Sequence, residues 1–302
     1  MKKKNFIVVG IGEILWDLFP DGKQLGGAPS NFAYITTLLG DTGIVASRIG
    51  DDHLGREICR TLDELAVRDA SLQIDPIHPT GTVRVQVDAA GQPKFEIAES
   101  VAWDYLAWSS EWRRIATDAD AVYFGSLAQR SPESRRTIRE FLNAMHPHAT
   151  RVFDVNLRQS YFSTDVISES MQLAEIVKLN DDELPRVAGL LGMEFRDEET
   201  SATELLRRFN LKLICVTRGA QGSLLVSDTG AHRHPGYQVI VKDTVGAGDA
   251  FTAGLVHQYL RGAPLAAIND MANRLGSWVA SQAGGTPAPD AEELPEVFVA
   301  NG

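Results

Sequence analysis

The sequence predicts an α/β protein: a doubly wound, mostly parallel sheet with helices on both faces, plus a small β-sheet lid. Short runs rich in Val and Ile alternate with helical patterns along most of the 302 residues, and this alternation is typical of a parallel sheet covered by helices. Residues 81–97 break the alternation with a hairpin pattern. A hydrophobic fraction of 44% is enough to bury a large core. We therefore expect a single domain over residues 1–302, with a lid formed by about 13–25 and 80–102.

The alternating part predicts strands and helices in a regular order. The strands are Phe6–Val9, Gly43–Ser47, Ala121–Phe124, Arg151–Val155, Ile176–Leu179 and Leu213–Val216. The helices are Pro29–Leu39, Leu54–Leu65, Pro132–Met145, Ile167–Leu173, Asp182–Leu191, Thr203–Phe209 and a last helix-like run, Ala250–Leu260. Pro29 near a helix start and Gly40 just past its end stand where these residue types are preferred.

The lid is predicted from apolar residues that alternate along two arms separated by a turn-like segment, residues 90–93. The alternating positions are Val83, Val85, Val87, Phe95 and Ile97. This pattern indicates a hairpin with one apolar face. Together with Leu15–Phe19 it would form a small sheet standing off the main one, and an edge hairpin packed on the body is the alternative. A second β excursion, Ser223–Ser227 and His232–Val241, is expected later in the chain.

Composition excludes several classes of partner. The formal net charge of −11 argues against a general nucleic-acid or anionic-membrane surface. No apolar run approaches the length of a membrane span. The only cysteines, Cys59 and Cys215, are far apart, so neither a disulfide framework nor a zinc site is indicated, which fits a reducing cytosol. We expect a cytoplasmic protein that binds neither nucleic acid nor membrane.

The most informative segment is 243–254, which reads Asp-Thr-Val-Gly-Ala-Gly-Asp-Ala-Phe-Thr-Ala-Gly. A turn at Gly246, Ala247 and Gly248 lets backbone N–H groups converge at a helix N-terminus, where they bind a phosphate or a developing negative charge. Asp249 follows in the first helical turn, and a carboxylate there can accept a proton from a hydroxyl that attacks a phosphoryl group. Taken alone, a glycine turn capped by an acid is the alternative.

Two segments near the start of the chain predict a binding site for a polyol. Gly26 and Gly27 allow close approach to the backbone, and Asn31 can donate to and accept from hydroxyl groups; a capped helix start is the alternative. Asp17 is a candidate acceptor for two hydroxyls, or else a strand-end acid. The glycines at 10 and 12 lack a third at position 15, so the dinucleotide-binding fingerprint is absent.

Polar residues follow three other predicted strands, where ligands of open α/β sheets collect. Arg158 could hold a phosphate or carboxylate in a forked contact, or form a surface ion pair. Glu183 could orient Mg²⁺ through water, or simply begin a helix. Thr217 and Gly219 could follow the phosphates of a nucleotide, or form a turn.

These motifs, in this order, resemble the ribokinase-like (phosphofructokinase-B) family of sugar kinases over essentially the whole chain. The N-terminal signature is matched by residues 26–31, Gly-Gly-Ala-Pro-Ser-Asn, and the C-terminal one by residues 243–249. Residues 180–183, Asn-Asp-Asp-Glu, fit the Asn-x-x-Glu element of the family. The resemblance implies a ribokinase-like fold with a β lid and ATP-dependent phosphorylation of a sugar CH₂OH group.

The resemblance also implies a role for each matching residue. Asp249 would be the base, and the amides of Gly246, Ala247 and Gly248 the anion hole. The residues implied to contact the sugar are Asp17, Gly26, Gly27, Asn31 and Arg158. Asn180 and Glu183 would serve the Mg²⁺–ATP complex, with Thr217 and Gly219 near its phosphates and Asn273 near adenine. A monovalent cation, K⁺ in related kinases, would lie at the backbones of Asp243 and Val245.

Three segments favour D-fructose, converted to fructose 6-phosphate, because they most resemble fructokinases of the family: residues 13–22, 101–104 and 154–158. A 2-keto-3-deoxygluconate kinase stays open because the fork of Arg158 suits a carboxylate, and a ribokinase is a further alternative. From a different class, a catalytically silent sugar-binding regulator remains, and a dehydrogenase is a weaker rival. A lid with exposed strand edges also predicts pairing into a homodimer.

Overall fold

The computed structural model describes residues 5–20, 22–67, 71–87 and 93–289. The strands are β1 (Ile7–Ile11), β2 (Leu15–Phe19), β3 (Gly22–Gly26), β4 (Thr42–Ala46), β5 (Arg48–Gly50), β6 (Gln73–Asp75), β7 (Gly81–Val87), β8 (Pro93–Ile97), β9 (Ala121–Gly125), β10 (Thr150–Asp154), β11 (Ile176–Asn180), β12 (Leu213–Thr217), β13 (Ser223–Ser227) and β14 (Gly230–His234).

The α-helices are α1 (Ala28–Leu38), α2 (His53–Glu64), α3 (Ser110–Asp118), α4 (Pro132–Ala144), α5 (Thr164–Leu173), α6 (Glu183–Leu190), α7 (Glu198–Arg208), α8 (Ala247–Leu260) and α9 (Leu265–Ala280). Short 3₁₀ turns occur at Ala102–Tyr105, Leu127–Arg130 and Gly219–Gln221. Within the described ranges, no helix is both long and apolar enough to cross a membrane.

The main sheet has eight strands in the order β14-β13-β12-β11-β10-β9-β1-β4. From β4 to β12 every neighbouring pair is parallel, and β13 and β14 add antiparallel strands at one edge. The chain leaves β1 toward β4 on one side and later returns to β9 on its other side. The carboxyl ends of β1 and β9 therefore form the topological switch point, where open α/β sheets bind their ligands.

Two hydrophobic layers cover the sheet. One layer unites side chains of α1, α2, α8 and α9 with the sheet face that carries Tyr123 and Cys215. The other unites side chains of α3 to α7 with the opposite face, which carries Phe124 and Phe153. Helices on both faces explain why the central strands are continuously apolar rather than alternating. The predicted doubly wound α/β fold is confirmed.

The second sheet is the predicted small one, with four strands in the order β3-β2-β7-β8. The hairpin β7–β8 pairs with β2 and not with the main sheet, so it belongs to a separate layer. The predicted turn segment 90–93 lies outside the described residues except for Pro93. We call this four-stranded sheet the lid. The indole N–H of Trp16 in β2 donates to the Leu54 carbonyl oxygen at 3.0 Å, and Lys23 of β3 pairs with Glu57, so α2 anchors the lid to the body.

Most predicted elements are present, with ends that differ from the prediction by at most three residues. Helix α7 is one exception, because it begins five residues earlier than predicted. Its start is capped by Asp197, which accepts a hydrogen bond from the amide of Thr200. The predicted strand His232–Val241 is wrong in extent, because β14 ends at His234. Pro235 follows and has no N–H to donate to a neighbouring strand. Helices α3 and α9 and the short pair β5–β6 were not predicted.

Candidate active site

Gly246 is the N-cap of helix α8, and its left-handed backbone conformation (φ 77°, ψ −9°) turns the chain sharply into the helix. A side chain at Gly246 would overlap the backbone of Gly285, so glycine is required for both conformation and space. The Ala247 amide donates to the Thr244 carbonyl oxygen in a long bond of 3.3 Å. Among described residues, the amides of Gly248 and Asp249 have no acceptor. They are the free donors of a helix N-terminus and fit an anion.

Asp249 lies in the first turn of α8, with 8% of its surface exposed. Its Oδ2 accepts a hydrogen bond from Asn31 Nδ2 at 2.9 Å, and its Oδ1 lies 3.2 Å from the Tyr123 hydroxyl. Burial raises the pKa of Asp249 to about 6, against the opposing effect of the hydrogen bond from Asn31. A carboxyl group with this pKa is largely ionised at neutral pH and can accept a proton.

The register of the main sheet explains which side chains surround Asp249. Tyr123 of β9 stands opposite Val152 of β10, and Asp154 lies two residues further along β10, on the same face. Asp154 is in turn the direct neighbour of Lys178 on β11. Parallel pairing thus places Tyr123, Asp154 and Lys178 side by side beneath the N-terminus of α8.

Lys178 and Asp154 form a buried ion pair in which the ammonium donates to both carboxylate oxygens, at 3.2 and 3.1 Å. Burial alone would lower the pKa of Lys178, but the negative charge of Asp154, together with Glu183 and Asp249, raises it. A Cβ added to Gly248 would lie 3.1 Å from Lys178 Nζ. A permanent positive charge therefore lies next to the free amides of α8.

Glu13 is a third buried acid of the site, with 4% of its surface exposed. It follows β1, beside the start of α1, and its Oε2 has no hydrogen-bond partner among the residues that the structure describes. Burial raises its pKa to about 7, and the charge of Asp249 adds to this effect. Sequence reasoning did not assign a role to Glu13, Tyr123, Asp154 or Lys178. The available signals were that Glu13 and Asp154 stand near the carboxyl ends of strands and that Lys178 is a charged residue in the middle of an apolar strand.

The predicted sugar-binding residues converge on the same place. A Cβ at Gly26 would collide with the Asp17 carboxylate, and one at Gly27 (φ +104°) would lie 2.6 Å from the Glu13 carbonyl oxygen. Burial raises the pKa of Asp17 to about 6, while the positive charge of Arg158 lowers it. Arg158 is exposed and makes no side-chain hydrogen bond or ion pair within the described chain, yet its charge acts on Glu13 and Asp249 as well.

The residues predicted to bind the nucleotide are more dispersed than those predicted to bind the sugar. Glu183 is buried, and its two carboxylate oxygens accept the amides of Leu157 (2.7 Å) and Asn180 (2.9 Å), while its own amide donates to Asn180 Oδ1 at 2.8 Å. This reciprocal cap binds the start of α6 to the loop that carries Arg158. Thr217 ends the neighbouring strand β12, and Gly219 (φ +54°) turns the chain just after it.

Asn273 lies on α9, where its amide nitrogen is engaged by Ser223 and Asn269. The structure gives no contact between it and Asp249. The Asp243 carboxylate accepts the amides of Val245 (3.0 Å) and Gly284 (3.1 Å), which joins the start of α8 to the loop at 282–287. The backbone carbonyl oxygens of Asp243 and Val245 have no donor among described residues, and such oxygens are suitable ligands for a cation.

The described side chains alone do not form a metal-binding cluster. Across residues 5–20, 22–67, 71–87 and 93–289, no group of three or more His, Cys, Asp or Glu side chains could hold a metal ion. The oxygens of Glu183 already accept backbone amides, so a contact with Mg²⁺ would run through water molecules, and the magnesium role of this residue stays a prediction. Mg²⁺ usually retains several waters and binds through substrate phosphates.

The doubly wound sheet with its small β lid is the fold that the resemblance to sugar kinases implied. Residues 21–291 match the model of the pfkB family carbohydrate kinases, so the chain belongs to this family. The predicted family resemblance is confirmed.

Individual relatives support this assignment. The chain is 28% identical over 260 residues to fructokinase of Escherichia coli, covering 82% of each chain. A sugar kinase of Pyrococcus horikoshii, solved in complex with ATP, has a TM-score of 0.80 and 28% identity over 96% of this chain and 97% of that one. A fructokinase double mutant of Vibrio cholerae, solved with fructose, ADP and potassium ion, has a TM-score of 0.82 and 25% identity over 98% and 100%.

Proposed function

We propose that the protein is an ATP-dependent fructokinase, which transfers the γ-phosphate of ATP to a primary hydroxyl of D-fructose to give fructose 6-phosphate. The observation that carries this proposal is the position of Asp249. It joins the sugar-side residue Asn31, 2.9 Å away, to the free amides at the start of α8. The relatives named fructokinase support the choice of sugar.

In the proposed reaction Asp249 accepts the proton of the attacking hydroxyl. The oxygen of that hydroxyl forms a bond to the γ-phosphorus, and the bond from this phosphorus to the leaving oxygen breaks, with its electron pair going to ADP. A loose phosphoryl transition state asks little of the base, so alignment and charge stabilisation supply most of the acceleration. The amides of Gly248 and Asp249 and the ammonium of Lys178 supply that stabilisation.

The sugar would lie between the lid and the body. Asp17 on β2 would accept hydroxyl hydrogens, Gly26 and Gly27 would admit the sugar to the backbone, and Asn31 would orient it beside Asp249. Arg158 would close the site from the body side. Its guanidinium has no partner within the described chain, and it could bind the carboxylate of a sugar acid through two parallel hydrogen bonds. A 2-keto-3-deoxygluconate kinase is therefore the second candidate.

The nucleotide would extend from the start of α8 toward the ends of β11 and β12. Asn180, Thr217 and Gly219 lie along this path, and Asn273 would be near the adenine. Mg²⁺, held through water near Glu183 and by the phosphates, would neutralise charge on the transferring group. K⁺ would bind the backbone oxygens of Asp243 and Val245, close to the anion hole. We also propose that the edge strands of the lid pair two copies of the chain into a homodimer.

An assay of ADP release over a panel of sugars tests the function. The panel contains D-fructose, D-ribose, D-glucose and 2-keto-3-deoxygluconate, each with ATP and Mg²⁺, with and without K⁺. We expect the highest kcat/KM for D-fructose. Faster turnover of 2-keto-3-deoxygluconate would replace fructose with the second candidate. Tight binding of one sugar without any turnover would identify a silent sugar-binding regulator instead.

A further inference from the structure

Tyr123 joins the proposed base to the buried ion pair. Its hydroxyl lies 3.0 Å from Asp154 Oδ2 and 3.2 Å from Asp249 Oδ1. The side chain is fully buried, and its ring stacks on Phe32 of α1, with ring centroids 4.6 Å apart and planes 15° apart. The ring is therefore fixed between the sheet and α1, so the position of the hydroxyl oxygen is set by packing.

The Tyr123 hydroxyl contacts two carboxylates but has a single hydrogen to donate. A phenol carries one hydrogen, so Tyr123 can donate to only one of the two carboxylates at a time. Lys178 donates to both oxygens of Asp154, so this carboxylate already accepts two hydrogen bonds. Within the described part of the chain, Asp249 has one side-chain donor besides Tyr123, the amide of Asn31. The ionised base therefore needs the Tyr123 hydrogen more than Asp154 does.

We propose that Tyr123 is a positioning residue for Asp249, whose hydroxyl hydrogen points to Asp249 while this base is ionised and turns to Asp154 when the base has taken up a proton. This inference rests on the proposed function. In the second state the neutral acid can donate to the Tyr123 oxygen, while the hydroxyl hydrogen is held by the Asp154 carboxylate. Asp249 thus keeps a hydrogen-bond partner in both states, and no proton leaves the site.

The pKa of Asp249 depends on how strong its hydrogen bond with Tyr123 is in the ionised state and in the protonated state. A bond donated to an ionised carboxylate is stronger than one accepted from a neutral acid. Removal of the hydroxyl therefore favours the protonated form of Asp249 and raises its pKa. The charged and titratable groups that face this contact are Glu13, Asp154, Lys178, Arg158 and Tyr123 itself.

The test compares Tyr123→Phe with Tyr34→Phe as a matched control. Tyr123→Phe removes one oxygen atom and keeps the ring stacked on Phe32. Tyr34 is also buried, and its hydroxyl donates to the Pro287 carbonyl oxygen at 2.8 Å, with no bond to Asp249. For Tyr123→Phe we expect kcat to fall about 10- to 100-fold with the KM for fructose changed less than about twofold. The acid limb of its kcat/KM profile should move up by about one pH unit.

Tyr34→Phe is expected to lower the melting temperature but to leave the acid limb where it is in the wild type. The proposal is overturned if Tyr123→Phe keeps the wild-type kcat and acid limb. It is also overturned if kcat falls equally in both variants and the acid limb of the kcat/KM profile moves in neither. Such a fall in kcat would reflect a loss of structure alone. A wild-type protein that phosphorylates no member of the sugar panel would remove the proposed function, and this inference with it.

Discussion

Asp249 combines a raised pKa with two hydrogen bonds that hold its carboxyl group in place. If it is the base, Asp249→Ala should lower kcat by about 100- to 10,000-fold and leave sugar binding largely intact. Because burial raises its pKa to about 6, wild-type kcat/KM should fall as the pH drops through about 6 and the base becomes protonated. Steady-state kinetics with calorimetric titration of fructose checks both points. Near-normal turnover by Asp249→Ala would contradict the base assignment.

Glu13 should make stability depend on pH. Its pKa rises from 4.5 in an exposed state to about 7 in the fold, so the native protein binds this proton more tightly than the unfolded chain. The contribution of Glu13 to the unfolding free energy is therefore complete below about pH 4.5 and is lost as the pH rises through about 7. The shift corresponds to roughly 3 kcal/mol. Glu13→Gln should remove this part of the decrease and be more stable than the wild type at pH 8, while the smaller contributions of Asp17 and Asp249, whose pKa values are also raised, remain.

Urea unfolding between pH 5 and 8 measures the effect of Glu13→Gln. Glu64→Gln, at an exposed position near the end of α2, is the control for loss of a carboxylate and should follow the wild-type curve. A Glu13→Gln variant that loses as much stability between pH 5 and 8 as the wild type would show that this carboxyl group is not the source.

The sequence singled out Asn31, Asp17 and Asp249 because each stands in a local motif, and their roles stay predictions. It did not single out Tyr123. The hydrogen bond between Tyr123 and Asp249 joins residues 126 positions apart, and only the order and register of the strands bring them together. Tyr123 also lies in an apolar run, where an aromatic residue normally indicates a core position.

The start of α8 should be the part of the site that is most sensitive to a single methyl group. Gly246 has φ +77°, and a Cβ there would overlap Gly285; Gly262, beyond the other end of α8, has φ +70° and open space around it. Gly262→Ala should therefore cost about 1 kcal/mol of stability from backbone strain alone. Gly246→Ala should cost several kcal/mol and abolish turnover.

Urea unfolding and kcat measured on both alanine variants separate the two effects. Equal destabilisation by Gly246→Ala and Gly262→Ala would mean that contact with Gly285 is unimportant. An active Gly246→Ala variant would mean that the turn does not shape the anion site.

The elements that could be predicted are those with strong local patterns, and the two missed helices lack them. Helix α9 contains Gly276, which disfavours a helix interior in isolation. In the fold this glycine faces α8, and a Cβ on it would lie 3.1 Å from the Ala247 carbonyl oxygen. Close packing between α8 and α9 therefore overrides local propensity. The start of α3 is marked by Ser109, which caps it through the amide of Trp112.

The site as a whole depends on the meeting of distant parts of the chain. Asp17 belongs to the lid, Asn31 and Glu13 flank the first βα connection, and Asp249 comes from the C-terminal part. The net charge of −11 does not by itself argue against an anionic phosphate at this site, because the free α8 amides and the Lys178 ammonium would face it. The sequence could predict this class of site, but the distance between lid and body depends on tertiary contacts such as Trp16 with Leu54.

A sugar that bridges lid and body should stabilise the whole protein. At a fructose concentration of about 100 times Kd, binding adds about 2.7 kcal/mol to the unfolding free energy. For a protein of this size the melting temperature should rise by roughly 4 °C. Asp17→Asn should reduce this rise at the same fructose concentration, because the lid loses its charged acceptor for the sugar hydroxyls.

Differential scanning calorimetry at pH 8, where Asp17 is ionised, checks this prediction, with D-glucose as the comparison sugar. Asp118→Asn is the matched control, since Asp118 is an exposed acid on α3, and it should show the full wild-type rise. A full rise in Asp17→Asn would place the sugar away from the lid. An equal rise with D-glucose would mean that the contacts of Asp17 and Asn31 do not select fructose, because hydroxyl-specific hydrogen bonds should separate two such sugars.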